Sequence, residues 1–112
     1  MNEFLLVFRR DYKTKEVQPT ADQFQESLKH WNEWFGKLTA ENKLVAPPRR
    51  FDGAGKILKQ DKTVADGPYL EPKESIGGLL IIKADSYGEA IKIAEGCPVL
   101  ELGGNVEVRQ AL

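Results

Sequence analysis

The sequence has almost none of the residues that usually build redox or metal centres. Cys97 is the only cysteine and His30 the only histidine among 112 residues. One cysteine excludes an internal disulfide and any zinc site with several cysteine ligands. A metal would depend mainly on carboxylates, so we expect no metal site and no cofactor. We expect Cys97, which precedes Pro98 at the end of a predicted helix, to be a buried small apolar residue.

Long apolar runs and an excess of either charge are missing as well. No stretch approaches the ~20 apolar residues of a membrane span. The first ten residues hold only the apolar run Phe4–Phe8 and lack the pattern of a signal peptide, so we expect a cytoplasmic protein. Sixteen basic residues face seventeen acidic ones, which gives a net charge of -1. This balance argues against direct binding to nucleic acid or to a membrane surface.

The remaining composition, 41% hydrophobic and 29% charged, is that of one folded domain spanning residues 1–112. Two apolar runs, Phe4–Phe8 and Leu79–Ile82, are too short for core helices and predict strands buried on both faces. The alternation in Val106–Arg109 predicts a strand with one polar face. Lys56–Lys59 and Thr63–Asp66 predict a hairpin.

Two capping boxes, Thr20–Gln23 and Ser86–Glu89, predict where helices begin. After the first, apolar residues recur at spacings of four, three, four and three, which predicts an amphipathic helix running to about Asn42. The residues of this stripe are Phe24, Leu28, Trp31, Phe35 and Leu38. Trp34 lies at the edge of the stripe, and His30 points well away from it.

The predicted order is β-α-β-β-β-α-β, a split βαβ pattern with an added hairpin strand and an α+β fold. Two helices can cover only one face of the sheet, yet both central strands are apolar on both faces. A second copy of the chain packed sheet against sheet would bury the other face, so we expect a homodimer. The other possibility is a long loop, such as Ala46–Gly55, folded over the sheet. Gly77-Gly78 enters a strand, which predicts a bulge or close backbone packing and not a phosphate loop.

The middle of the chain resembles the signature of the DGPF group in the YCII-related family. The residues that carry the resemblance are Asp66, Gly67, Pro68, Tyr69, Glu71, Lys73, Glu74, Ile76, Gly77 and Gly78, with Ala84, Asp85, Ser86, Glu89, Ala90, Val106, Glu107, Val108 and Arg109 in the second half. The resemblance covers nearly the whole chain. It implies a ferredoxin-like sheet that forms a dimeric α/β barrel.

For function, the resemblance implies several different things. Family members are mostly of unknown role, some sit beside extracytoplasmic-function sigma factors, and one relative is a dehydrochlorinase acting on a chlorinated aromatic ring. YCII proteins are thought to pair an aspartate with a histidine near the start of the first helix. Here that helix opens Asp22-Gln23-Phe24, and His30 lies further in, on a different face. The sequence departs from the family pattern at this point.

The residues with the clearest chemical potential are Asp66 and Tyr69. Asp66 ends a predicted strand before Gly67-Pro68 and could act as a general base, with Tyr69 steadying a developing oxyanion. The other interpretation is that Asp66 is a turn residue whose side chain bonds nearby backbone amides. The catalytic interpretation requires that Asp66 faces a closed, partly apolar pocket.

A set of candidate ligand-binding residues lies elsewhere in the chain. The pairs Arg9-Arg10 and Arg49-Arg50 could clamp a carboxylate or phosphate, or could simply make strand and loop ends soluble. Arg9, Arg49, Trp34 and His30 are the candidate ligand contacts. His30 could instead be a solvated helix residue, and Trp34 could be core edge, dimer contact or pocket wall.

Two functions follow as hypotheses. One is a dimeric small-molecule-binding or accessory module, tied to transcription by gene context alone. The alternative is a cofactor-free lyase or isomerase acting on a small ring compound, with Asp66 as base.

Overall fold

A computed structural model describes residues 1–46, 49–52, 54–67 and 75–112. Its main sheet is antiparallel, with the spatial order β2-β5-β1-β6. The elements in chain order are β1 (Asn2–Arg9), α1 (Ala21–Ala40), β2 (Arg49–Arg50), β3 (Lys56–Leu58), β4 (Val64–Asp66), β5 (Ile76–Ala84), α2 (Tyr87–Ala94) and β6 (Asn105–Gln110). If the four strands of the main sheet are renumbered 1 to 4 along the chain, their spatial order, read from β6, is 4-1-3-2. The α+β, ferredoxin-like fold predicted from the sequence is therefore confirmed.

Both predicted capping boxes mark real helix starts. The Thr20 hydroxyl accepts from the Gln23 amide at 3.1 Å, and the Gln23 side chain accepts from the Thr20 amide at 2.9 Å. The Ser86 hydroxyl accepts from the Glu89 amide at 3.2 Å. These bonds satisfy amides that have no partner within the helix, so each helix begins where its cap stands.

The two helices cover one face of the sheet, as predicted. On β1, every second residue from Phe4 to Phe8 faces the helices, and these residues are almost fully buried. The buried core consists of Phe4, Leu6, Phe8, Trp34, Leu38, Leu80, Ile82, Ala84, Ala90, Ala94, Cys97 and Val99. Burial raises the pKa of the Cys97 thiol to about 12, which confirms it as an inert core residue.

The predicted apolar stripe of α1 is only partly correct. Leu38 is buried, but Phe24 and Leu28 are 37% and 44% exposed. The residues of α1 that are buried are Ser27, Trp34 and Leu38. The stripe predicted as core therefore forms, over most of its length, the wall of an open cleft.

The hairpin strands do not extend the main sheet, which corrects the predicted topology. β3 and β4 form their own two-stranded sheet. The edge of β5 is instead bonded by the segment that follows α1, through the Val45 amide to the Ile81 carbonyl at 2.9 Å and then through β2. The predicted Pro47-Pro48 stop lies outside the described residues. No helix among the described residues is both long and apolar enough to cross a membrane.

A β-bulge at Gly77 shapes the end of the sheet. Phe8 pairs with Gly78 and Arg9 with Ile76, which leaves Gly77 without a partner on β1. A Cβ atom at Gly77 would collide with the hydroxyl of Tyr12, and one at Gly78 would lie 2.8 Å from the Arg49 carbonyl oxygen. The sequence interpretation of this Gly-Gly pair as a bulge with close packing is confirmed.

Candidate ligand-binding cleft

A cleft of about 330 Å³ opens between α1 and the end of the sheet where β1 finishes and β5 begins. This volume lies at the lower end of the ~300–1,000 Å³ typical of small-molecule sites. Its apolar lining comes from α1, from the end of β1 and from the segment after α2. These residues are Phe8, Phe24, Leu28, Trp31, Phe35, Val99 and Leu102.

Aromatic rings form a continuous layer along this wall. The Trp31 ring meets Phe8 edge-on, with centroids 5.1 Å apart, and lies 5.3 Å from Phe35 at a tilt of 38°. Trp34 packs behind them, 5.8 Å from Trp31. Such a layer offers flat apolar contact to a planar ligand.

The opposite side of the cleft is cationic, and Arg10 is its most buried member. Arg10 continues the alternation of β1 onto the face of Phe8 and is only 8% exposed. Its Nη1 donates to the Gln18 side-chain oxygen at 3.1 Å and to the Asp11 carbonyl at 3.3 Å. Both acceptors are neutral. Among the described residues no carboxylate lies within 4.0 Å of the Arg10 guanidinium.

Tyr12 lies directly against this guanidinium. The guanidinium carbon of Arg10 is 4.1 Å from the centroid of the Tyr12 ring, which is a cation–π contact. Like any tyrosine, Tyr12 is protonated at neutral pH, and partial burial is the main cause that raises its pKa further. The Asp11 carboxylate accepts the Lys13 and Thr14 amides at 2.9 Å and forms no ion pair with Arg10 within 4.0 Å, so its charge acts on Arg10 only through space. The hydrogen bonds to Thr14 lower the pKa of Asp11, which keeps it ionised.

The two residues of β2 contribute differently. Arg50 pairs with Gly78, in the row of Phe8, so it shares the cleft face of the sheet. Arg49 pairs with Leu79, and the alternation of side chains places it on the opposite face. Arg49 still borders the cleft, with its carbonyl against Gly78. Among the described residues that line the cleft, every charged one is an arginine.

Asp66 does not face this cleft. It stands at the end of β4 with its side chain 86% exposed and forms an ion pair with Lys56 across the hairpin. The prediction that Asp66 faces a closed pocket is therefore wrong for the single chain, because its side chain is exposed to solvent on a hairpin that is not part of the main sheet. The base role required that geometry. Its predicted partner, Tyr69, lies outside the described residues.

Arg9 and Trp34 are also placed away from the cleft. Arg9 lies on the face of the sheet opposite the helices, where its Nη2 donates to the Glu107 carboxylate at 3.0 Å. Trp34 is 7% exposed, and its indole Nε1 donates to the Ile93 carbonyl at 3.2 Å. Trp34 is thus a core residue, and Trp31, expected in the core, lines the cleft.

His30 makes a contact that the sequence did not predict. Its Nδ1 donates to the Glu101 carboxylate, 2.8 Å away, and its Nε2 lies 3.4 Å from Glu26. His30 therefore links α1 to the 3₁₀ turn Pro98–Leu102 on the outer side of the helix. It does not line the cleft.

The hydrogen bond to Glu101 raises the pKa of His30 above its usual 6.5. A raised pKa in the folded state means that the ion pair stabilises the fold fully below pH 6.5, and that this contribution is lost as the pH rises through the higher folded value. We expect the ring protons of His30, followed by NMR, to titrate above pH 6.5. Glu101→Gln should lower that midpoint clearly, whereas Glu33→Gln should shift it much less. Equal shifts in both variants would contradict a specific bond to Glu101.

The position of Arg10 on the cleft face could have been predicted from the alternation of side chains along β1. Phe4, Leu6, Phe8 and Arg10 alternate, so Arg10 belongs to the helix-covered face and Arg9 to the other. The two-residue alternation of a strand therefore predicts Arg10, and not Arg9, as the arginine on the cleft face. Tyr12 falls in the same alternation, but it lies beyond the end of the predicted strand, and its contact with Gly77 is long-range and has no local signal.

The described residues form a small α+β protein with an apolar, cation-edged cleft beneath a long helix. A family model for the YCII-related domain matches residues 4–111, so the chain belongs to the YCII-related family. Comparison with curated protein sequences gave no match. Among solved structures, the chain is similar to 5-chloro-2-hydroxyhydroquinone dehydrochlorinase (TftG) from Burkholderia phenoliruptrix AC1100, in complex with 2,5-dihydroxybenzoquinone. That likeness covers 97% of this chain and 93% of the other, with 21% identity and a TM-score of 0.48.

Proposed function

We propose that this protein binds a small organic anion with a flat apolar body in the cleft between α1 and the sheet. The observation that carries the proposal is the Arg10 guanidinium. It is almost fully buried, lines the cleft and, among the described residues, donates its side-chain hydrogen bonds to neutral acceptors.

A buried cation is costly when no opposite charge compensates its lost hydration. Among the described residues no carboxylate pairs directly with Arg10 and Asp11 acts on it only through space, so an anionic ligand would supply the direct partner. Arg50, on the same face, adds a second cation at the edge. Guanidinium groups suit carboxylates and other oxyanions because they present several donors in a plane.

The apolar wall of the cleft favours an anion that carries a planar apolar ring. The Trp31 ring lies 5.1 Å from that of Phe8 and 5.3 Å from that of Phe35, so a planar ring can stack on this layer or meet its edges. A highly hydrated inorganic ion would leave this wall uncovered. An aromatic acid satisfies both sides of the cleft.

The experiment is a binding titration by calorimetry, with two-dimensional NMR to locate the site. Benzoate is expected to bind and to shift the backbone signals of Arg10, Trp31 and Phe35. Benzyl alcohol, which has a ring but no charge, should bind more weakly, and so should acetate, which has a charge but no ring. A cleft that prefers benzyl alcohol to benzoate, or that binds neither, overturns the proposal.

The two arginines of β2 provide a matched pair of variants. Arg50→Gln removes a charge on the cleft face, and charge-assisted bonds of about 1.5–3 kcal/mol correspond to roughly a 10-fold to 100-fold loss of benzoate affinity. Arg49→Gln removes the same charge one residue away on the other face and should change affinity less than about threefold. Equal losses in both variants would show a diffuse charge effect and no defined anion site.

We also propose that the chain forms a homodimer through the face of the sheet opposite the helices. Leu5 pairs with Ile81 and Val7 with Leu79, which makes an apolar patch on that face, where Val7 is 6% exposed and the other three are partly exposed in the single chain. No helix of the described chain covers it, because both helices pack on the other face. At the β6 side the patch is bordered by the ion pairs of Glu107 with Arg9 and Arg109. An apolar centre with a charged rim is the usual anatomy of a protein interface.

A further inference from the structure

We infer that Tyr12 determines specificity in this cleft, and that the preferred ligand carries a hydrogen-bond acceptor on the ring atom next to the one that bears its acid group. This inference rests on the proposed anion-binding function and narrows the ligand class to ortho-substituted aromatic acids.

The first support is the fixed position of the Tyr12 ring. One face of the ring lies under the Arg10 guanidinium, 4.1 Å from the ring centroid. Its hydroxyl end lies over Gly77, which leaves no room for a Cβ atom. Tyr12, which is 36% exposed, is therefore contacted by Arg10 on one ring face and by Gly77 at its hydroxyl end.

The second support is the state of the Tyr12 hydroxyl. In the described part of the chain, no side-chain or backbone acceptor takes the proton of this hydroxyl. Tyr12 nevertheless lines the cleft, and a tyrosine hydroxyl is protonated at neutral pH. It is therefore a hydrogen-bond donor for which the described residues provide no acceptor at the cationic side of the site.

The third support is proximity. Arg10 would hold the acid group, and Arg10 and Tyr12 are in direct contact. Two ligand atoms that reach both residues at once must themselves be near neighbours. In 2-hydroxybenzoate the hydroxyl proton is tied to the adjacent carboxylate, so the hydroxyl oxygen is free to accept from Tyr12. In the 3- and 4-isomers the hydroxyl lies further from the acid group and needs an acceptor for its own proton.

The three hydroxybenzoate isomers test the inference, because they share charge, size and composition. We expect the wild-type protein to bind 2-hydroxybenzoate about 3-fold to 10-fold more tightly than the 3- or 4-isomer, the fold-change of one neutral hydrogen bond. Tyr12→Phe keeps the ring that packs against Arg10 and removes only the hydroxyl. It should abolish this preference, so that the loss of affinity is larger for 2-hydroxybenzoate than for benzoate or for the 3- and 4-isomers.

The possible outcomes distinguish the role of Tyr12 in specificity from the proposed binding of anions. If benzoate binds and the three isomers bind equally, the role of Tyr12 is wrong and the anion site stands. If Tyr12→Phe weakens benzoate and all isomers alike, Tyr12 has only a structural role and the inference is overturned. If neither benzoate nor any isomer binds, the proposed function fails and the inference fails with it.

Discussion

Replacing Trp34 with alanine is expected to lower the free energy of unfolding by about 3–5 kcal/mol, the range for deleting a large buried aromatic side chain. The Trp34 ring contacts Phe8, Trp31 and Phe35, with centroid distances of 6.0, 5.8 and 5.7 Å. Its indole nitrogen also donates to the Ile93 carbonyl near the end of α2. Truncation therefore leaves a cavity between α1, α2 and the sheet. Urea unfolding followed by circular dichroism measures the change.

Trp31→Ala is the matched control for this prediction. Trp31 is three residues earlier on the same helix, but it lines the cleft and is only partly buried. We expect Trp31→Ala to cost less stability than Trp34→Ala and to weaken benzoate binding at least tenfold, since it removes the centre of the aromatic wall. The reverse pattern, with Trp31 setting stability and Trp34 setting affinity, would restore the original prediction that Trp34 binds the ligand.

The contrast between these two tryptophans shows where sequence reasoning reaches its limit. Helical periodicity places residues on a face, and it placed Trp31 and Trp34 close together on α1. Whether a face of the helix touches the sheet or an open cleft depends on how the helix lies across the strands. Helical periodicity gives no information about that orientation. Phe24 and Leu28 follow the apolar stripe, yet the sheet does not reach them and they remain more than a third exposed.

Features that depend on local chemistry were predictable. The caps at Thr20 and Ser86 are formed by residues three positions apart, so the sequence alone specifies them. The central strands Phe4–Phe8 and Leu79–Ile82 are apolar runs of the right length and pair directly. The hairpin of β3 and β4 was also predicted, because its two strands flank a short turn.

The candidate site was not predictable in the same way, because it is built from long-range pairing. Arg10 and Tyr12 join Gly77 only through the pairing of β1 with β5, some sixty-five residues later in the chain. Arg50 reaches the cleft through β2, an edge strand of two residues that has no apolar pattern by which it could be predicted. Asp66, by contrast, had a conspicuous motif around it and lies in the solvent.

A lysine at position 81 is expected to convert the proposed dimer into a monomer. Ile81 lies at the centre of the apolar patch, opposite Leu5 and next to the row of Val7 and Leu79. In a single chain it is already partly exposed, so Ile81→Lys should leave the fold intact. In a face-to-face dimer, two-fold symmetry would bring two lysines into one apolar interface with no described carboxylate at its centre, and unpaired buried charges of this kind cost several kcal/mol.

Light scattering coupled to size exclusion gives the mass directly. Wild-type protein is expected at twice 12.6 kDa and Ile81→Lys at 12.6 kDa. Ile91→Lys is the matched control, because Ile91 is 49% exposed on α2, on the helix-covered side of the sheet. It introduces the same charge in place of the same residue and should stay dimeric. A wild-type mass of 12.6 kDa at micromolar concentration, or dissociation of both variants alike, would contradict an interface on the open face of the sheet.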